Sequence, residues 1–175
     1  MAKRAKRSVL AEGRYLRLVA EGGWEFAERS RGLEAVAVIA VTPQRELILT
    51  EQFRIPLGRN VIDLPAGLVG DDLEHDSLAA AALRELEEEV GYRARSVKLV
   101  FSGPTSAGLS NEVVNFLLAR GVRRVGPGGG VAGERIAVHL VPVDKVLSWT
   151  KRRGRRDGVL TSPNVLAALA LLAAE

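Results

Sequence analysis

The chain contains no cysteine, so neither a disulfide nor a thiolate metal site can form. Its two histidines, His75 and His139, are too few for a histidine-rich zinc site, and any metal must be held mainly by oxygen. No apolar run approaches the roughly 20 residues that span a bilayer. The basic start MAKRAKRSVLAEGR is not followed by the apolar core of a signal peptide, so a soluble cytoplasmic protein with no membrane contact is expected. Aromatics are scarce and absent from that stretch, so it lacks the stacking side chains that interleave with basic residues on RNA-binding surfaces. Residues 1–13 therefore read as a flexible, solvated basic tail, and nucleic acid is not an expected partner.

What is present suits a single globular domain over residues 1–175. The net charge of +4 conceals local bias, because basic residues crowd the start and the stretch Lys151 to Arg156 while acidic ones crowd 71–89. Tyr15 to Ala20, Trp24 to Arg29, Ala35 to Val41 and Glu46 to Arg54 read as strands separated by turn signals at Gly22-Gly23 and Thr42 to Arg45. Asn60 to Leu64 is a further extended piece that Pro65-Ala66-Gly67 should break into a loop. Later strands are expected at Ser96 to Ser102, Val113 to Ala119 and Ile136 to Val143, with mobile loops at Gly103 to Asn111 and Gly126 to Gly133. Asp144 to Lys151 suits a short helix, and Ser162-Pro163 caps a last helix over Asn164 to Ala174. Sheet with a few helices and no regular βαβ alternation indicates an α+β sandwich.

The segment SLAAAALRELEEEV, from about Ser77 to Val90, is rich in helix formers and stops at Gly91. At 100° per residue, Glu85, Glu88 and Glu89 fall within about 100° of one another, Glu87 falls away from them, and Ala79, Leu83, Leu86 and Val90 group nearly opposite. No lysine is interleaved at i+4, so the three carboxylates repel unless a cation joins them. Their oxygens suit magnesium or manganese, hard ions that keep several waters and bridge to phosphates. Spacing alone leaves a solvated acidic face equally open.

Gly70, Asp76 and Arg84-Glu85-Leu86-Glu87-Glu88-Glu89-Val90-Gly91-Tyr92 resemble the Nudix box, with Asp76 where glutamate is usual. The resemblance implies a Nudix-type α/β/α sandwich with a mixed sheet and added N-terminal antiparallel strands. It also implies that Glu85, Glu88 and Glu89 bind metal and that Arg84 holds them by ion pairing. A divalent ion would neutralise a diphosphate and lower the pKa of an attacking water.

Glu51-Gln52-Phe53-Arg54 and Asp63-Leu64-Pro65-Ala66-Gly67 look like the ADP-ribose and nucleotide-sugar pyrophosphatase branch. By that likeness the Ala66 carbonyl is a metal ligand and Arg54 binds substrate, its guanidinium pairing with phosphate in a fork. The other reading of Arg54 is a surface strand residue. Counting back from Arg84 makes Gly70, not Gly67, the box glycine. Ser106 to Glu112 resembles a further segment of the branch, but Ala107 replaces a proline associated with ADP-ribose preference, which opens the substrate to other nucleoside diphosphate sugars. Glu134 matches the branch's loop glutamate, a metal ligand or base, while its frequent acidic companion is Ala132 here. The base is then Glu134, Glu112 or Glu88, and the likeness also makes Glu112 a substrate-binding residue. Trp24 follows the branch too, where the N-terminal strands, here residues 14–32, exchange between the subunits of a homodimer and supply part of the nucleobase pocket. Burial in the sheet is its other reading.

The activity implied is magnesium-dependent hydrolysis of a nucleoside diphosphate sugar to a nucleoside monophosphate and a sugar phosphate. The alternatives are action on nucleoside triphosphates or capped RNA, as in other Nudix branches, and a non-catalytic regulator that binds nucleotide sugars.

Overall fold

The computed structural model of the protein describes residues 6–31, 34–70, 77–130 and 133–175. It begins with an antiparallel sheet of β1 (Arg7–Glu12), β2 (Leu16–Glu21) and β3 (Trp24–Arg29). β4 (Ala35–Ala40) and β5 (Glu46–Arg54) follow, then a 3₁₀ turn at Ile55–Leu57, β6 (Arg59–Asp63) and β7 (Ala66–Leu68). Helix α1 (Leu78–Val90) leads to β8 (Tyr92–Arg93), β9 (Ser96–Pro104), β10 (Val113–Arg120), β11 (Arg123–Arg124) and β12 (Ile136–Pro142). The chain ends with α2 (Val146–Asp157), β13 (Leu160–Thr161) and α3 (Pro163–Ala173).

Two four-stranded sheets, in the orders β7-β4-β10-β9 and β12-β5-β6-β13, form the body. Both are mixed, because β4 runs parallel to β10 and β6 parallel to β13 while the other pairs are antiparallel. Alternation along β4 sends Val36, Val38 and Ala40 to one face and Ala37 and Ile39 to the other, and both faces are buried. The first face packs on Ala81, Ala82, Leu86 and Val90 of α1, and the second belongs to a core that includes Val146 of α2 with Val165 and Ala168 of α3. Helices therefore cover the sheets from both sides, as the α+β sandwich reading requires. Each fully buried leucine such as Leu86 contributes about 1.5–3 kcal/mol by leaving water.

Four local readings are corrected. Residues 7–12 are not tail but strand β1, because Val9 and its neighbours pair with β2 while Arg7 forms ion pairs with Glu21 and Glu28. Residues 1–5 of the expected tail lie outside the described residues. Ala66–Leu68, expected as loop, forms β7 by pairing with Ala35–Ala37, and Pro65, which has no N–H to give, sits just ahead of it while its carbonyl accepts from the Val38 N–H at 2.8 Å. α2 extends to Asp157, past the expected Lys151, since Gly158 at φ 67° supplies its stop. The described part of the glycine-rich loop, expected to be mobile, is tied to the end of α1: Val125 and Gly126 donate to the Gly91 carbonyl, Gly129 to that of Glu89 and Gly130 to that of Glu88.

Candidate active site

α1 sets the site. Ser77 caps it by accepting the Ala80 N–H at 3.1 Å, and Gly91, at φ 72°, ends it. Its roll differs from the sequence expectation. Ala79 is exposed and Leu83 only half-buried, while the buried arc runs through Ala81, Ala82, Leu86, Glu89 and Val90. Glu89 thus lies within the packed arc and Glu85 close to it against β7, while Glu88 keeps 32% of its side chain exposed. Glu87 is the most exposed of the four and accepts two hydrogen bonds from Arg93.

A cleft of about 790 Å³ opens beside the trio. It is lined by Arg54, Ala66, Arg84, Glu85, Glu88, Glu89, Glu112 and Glu134, so every candidate site residue except Trp24 meets in one place. Arg84 Nη1 donates to Glu85 Oε1 at 2.8 Å and to Glu88 Oε2 at 3.3 Å, and Nη2 donates to the Leu68 carbonyl at 3.3 Å. This arginine thereby fastens the carboxylate helix to β7. The Ala66 N–H donates to Glu89 Oε2 at 2.9 Å, which brings the Pro65-Ala66-Gly67 turn against the last glutamate of the trio. Gly67 permits a close approach, because a Cβ there would lie 2.0 Å from Glu85 Oε1 and would move that side chain from its place. Gly70, the glycine at box distance, has φ 80° and serves the turn after β7. Two glycines thus share what the motif assigns to one.

Burial pushes the Glu85 carboxyl up to about 7, against the opposing charge of Arg84 and with Glu88 and Glu134 adding repulsion. Burial likewise pushes Glu89 up to about 8, opposed by the Ala66 N–H and by Arg54 and reinforced by Glu85 and Glu134. Such carboxyls give up their protons readily only to a positive charge placed among them. Among the described residues no three acidic or histidine side chains are already gathered as a ligand set, since Arg84 engages Glu85 and Glu88 and the Ala66 N–H engages Glu89. The donor chemistry nevertheless fits a hard divalent cation, with carboxylate oxygens and no thiolate.

Other candidates divide. Arg54 ends β5 at the cleft and its charge acts on both Glu89 and Asp63. Glu112 accepts from Arg29 Nε at 2.9 Å and Nη2 at 2.5 Å. Trp24 lies outside this cleft, exposed beside Phe26 and Ala107 in a shallow pocket of about 310 Å³. Asp76 and Ala132 lie outside the described residues. The sequence reading missed Arg29, Asp63 and Asn164. Asp63, largely buried, accepts the Leu64 N–H at 2.8 Å and Asn164 Nδ2 at 3.2 Å, and burial raises its pKa. Its place two positions before Pro65, inside the quoted motif, was the available signal.

The NUDIX domain model matches residues 33–160. The chain belongs to the Nudix family. A methanol dehydrogenase activator of Bacillus methanolicus is 32% identical over 68% of this chain, and this chain spans 63% of that relative's length. An ADP-ribose pyrophosphatase of Mycobacterium tuberculosis is 33% identical over 86% of this chain and 70% of its own. A crystal structure of an ADP compounds hydrolase superposes with a TM-score of 0.73 at 17% identity, covering 98% of this chain and 92% of its own, and so shares the Nudix fold. Hydrolases of this family are generally dependent on divalent metals.

Proposed function

We propose that this Nudix protein is a magnesium-dependent pyrophosphohydrolase that cleaves the diphosphate of a nucleoside diphosphate sugar, ADP-ribose or a similar compound. The products are a nucleoside monophosphate and a sugar phosphate. The observation that carries this reading is the single cleft in which Arg54 and Arg84 meet five glutamates, two of them with raised pKa values. Its volume of about 790 Å³ lies in the range that holds cofactor-sized ligands. The ADP-ribose pyrophosphatase name of one relative supports the substrate class.

Glu85, Glu88, Glu89 and Glu134, with the Ala66 carbonyl, would hold magnesium, or manganese in its place. The bound ion supplies charge to neutralise the diphosphate and to acidify an attacking water. Arg84 orients Glu85 and Glu88, and Arg54 grips phosphate oxygens at the cleft wall. Proton removal falls to Glu134, whose charge reaches both Glu85 and Glu89. The exposed Val9, Leu10, Leu16, Leu18 and Trp24 on the N-terminal strands support a homodimer in which that sheet meets a second copy. In that assembly Trp24 would serve the partner's nucleobase pocket. The whole chain acting as one domain in the cytoplasm belongs to the same proposal.

The activator named among the relatives favours a second reading, a nucleotide-sugar-binding regulator without turnover. One panel separates the readings: purified protein with magnesium, given ADP-ribose, GDP-sugars, nucleoside triphosphates and capped RNA. Release of AMP or GMP from the sugars is the expected result. Turnover of triphosphates or caps alone would move the chain to another branch, and tight binding without any product would favour the regulator. Glu88→Gln should lower kcat by orders of magnitude with the fold intact, and full activity in that variant would sink the metal assignment.

A further inference from the structure

The N-terminal sheet touches the cleft through one residue. The Ala27 N–H donates to the Leu109 carbonyl at 2.8 Å, and the Asn111 N–H to the Ala27 carbonyl at 3.4 Å, so a single parallel bridge between Ala27 and Ser110 joins the loop between β9 and β10 to β3. The two side chains after Ala27 then leave on opposite faces. Glu28, buried, turns to Arg7, Arg17 and Asn111, the last at 3.2 Å. Arg29 turns to the cleft, and both its Nε and its Nη2 end on a single oxygen, Glu112 Oε1. The other oxygen, Oε2, lies 3.5 Å from Thr105 Oγ1, whose backbone N–H donates to the Glu112 carbonyl at 3.2 Å. Arg29, Thr105 and Glu112 all line the same cleft as the four glutamates.

We infer that Arg29 is a positioning residue that clamps Glu112 at the cleft rim as a fixed hydrogen-bond acceptor for substrate. Oε1 already accepts two guanidinium N–H groups, at 2.9 and 2.5 Å, so Oε2, which Thr105 Oγ1 meets only at 3.5 Å, is the oxygen left to face substrate. An acceptor held this way recognises hydroxyl or amide donors, which a nucleoside diphosphate sugar offers at its sugar and base. The clamp also makes the N-terminal sheet part of the site: Ala27, Glu28 and Arg29 together dock loop 105–112, and only Arg29 sees the cleft.

The inference rests on the pyrophosphohydrolase reading, and its test separates the two. Steady-state kinetics on ADP-ribose with magnesium should show that Arg29→Gln and Glu112→Gln each raise KM about tenfold with kcat nearly unchanged. The double variant should be no worse than either single one, and Arg29→Lys, which restores one donor, should recover part of the loss. The acidic limb of the pH–rate profile should survive Glu112→Gln. A fall in kcat of a hundredfold or more in Glu112→Gln, with that limb lost, would make Glu112 the base and overturn the inference, as would additive losses in the double variant. If the wild type hydrolyses none of the panel, the function fails but the clamp is still tested by hydrogen exchange. Arg29→Gln should then speed exchange at the Leu109 and Asn111 amides severalfold with α1 unchanged, and identical exchange would overturn it.

Discussion

Gly67 and Glu85 share a space that has no room for another carbon: a Cβ on residue 67 would lie 2.0 Å from Glu85 Oε1 and 2.1 Å from its Cδ. The carboxylate is buried there, on the strand side of α1, because β7 offers it bare backbone.

Gly67→Ala should therefore expel the Glu85 carboxylate from its place without disturbing the core beneath. The magnesium concentration for half-maximal activity should rise about 10–100-fold, the usual cost of losing support around a metal ligand. The melting temperature should move by only a few degrees, because a flexible side chain yields. A magnesium titration of activity beside a thermal melt checks both, and an unchanged titration would separate Glu85 from metal binding.

A second expectation concerns pH. Glu85 and Glu89 are raised from 4.5 to about 7 and about 8, chiefly by burial. An acid with a raised folded pKa binds its proton more tightly when folded, so its contribution to stability is complete below about 4.5 and is lost as pH rises through 7 and 8. With a chelator present, the protein should melt lower at pH 9 than at pH 6. Magnesium compensates the ionised pair, so the gain in melting temperature on adding it should be larger at pH 9, by about 5 °C or more. A gain independent of pH would contradict the placement of these carboxyls around the ion.

Much of this site could be read from residues adjacent in sequence. Ser77, the alanine run and Gly91 fixed both ends of α1, and the box glutamates followed from their spacing along it. The roll of that helix could not be read, because Ala79 and Leu83 are as apolar as Ala81 and Ala82, and only the sheet beneath decides which pair is buried. The pairing of β7 with β4 was hidden for a similar reason: a Pro-Ala-Gly run looks like a turn until a distant strand supplies its hydrogen bonds. Arg29 and Glu112 stand 83 positions apart and carry no local pattern that joins them.

A third expectation is structural. Glu51, only 7% exposed, accepts Asn60 Nδ2 at 2.9 Å, faces His139 Nε2 at 2.8 Å and takes Arg153 Nη2 at 2.8 Å, joining β5, β6, β12 and α2 away from the cleft. Burial alone would raise its pKa, but hydrogen bonds from Asn60 and His139 and the charge of Arg153 win and hold it below the ordinary value. Its stabilisation is therefore present above pH 4.5 and lost as pH falls below it. Glu51→Ala leaves Arg153 with Asp157 as its remaining carboxylate and takes the acceptor from Asn60 Nδ2, and should cost about 1.5–3 kcal/mol, measured by urea unfolding at pH 7. The cost should shrink at pH 3.5. A loss that stays the same at both pH values would mean packing, not charge, is what Glu51 supplies.

The last expectation separates two glycines of the loop that carries Glu134. Gly128 has φ 67°, and a Cβ on it would lie 2.4 Å from the Val90 carbonyl carbon and 2.7 Å from the Gly91 nitrogen, backbone atoms that cannot step aside. Gly126, two residues earlier, has open space where its Cβ would be. Gly128→Ala should lift the loop off the end of α1 and carry Glu134 away from Glu85 and Glu89. A displacement near 1 Å suffices to cost about 100-fold in kcat. Gly126→Ala keeps its backbone hydrogen bond to Gly91 and should behave as wild type. Kinetics of the two variants at saturating magnesium decide the matter. Equal activity in both would mean that proton removal does not depend on Glu134 and its anchored loop, and would move that role to α1, where Glu88 is the most exposed of the trio.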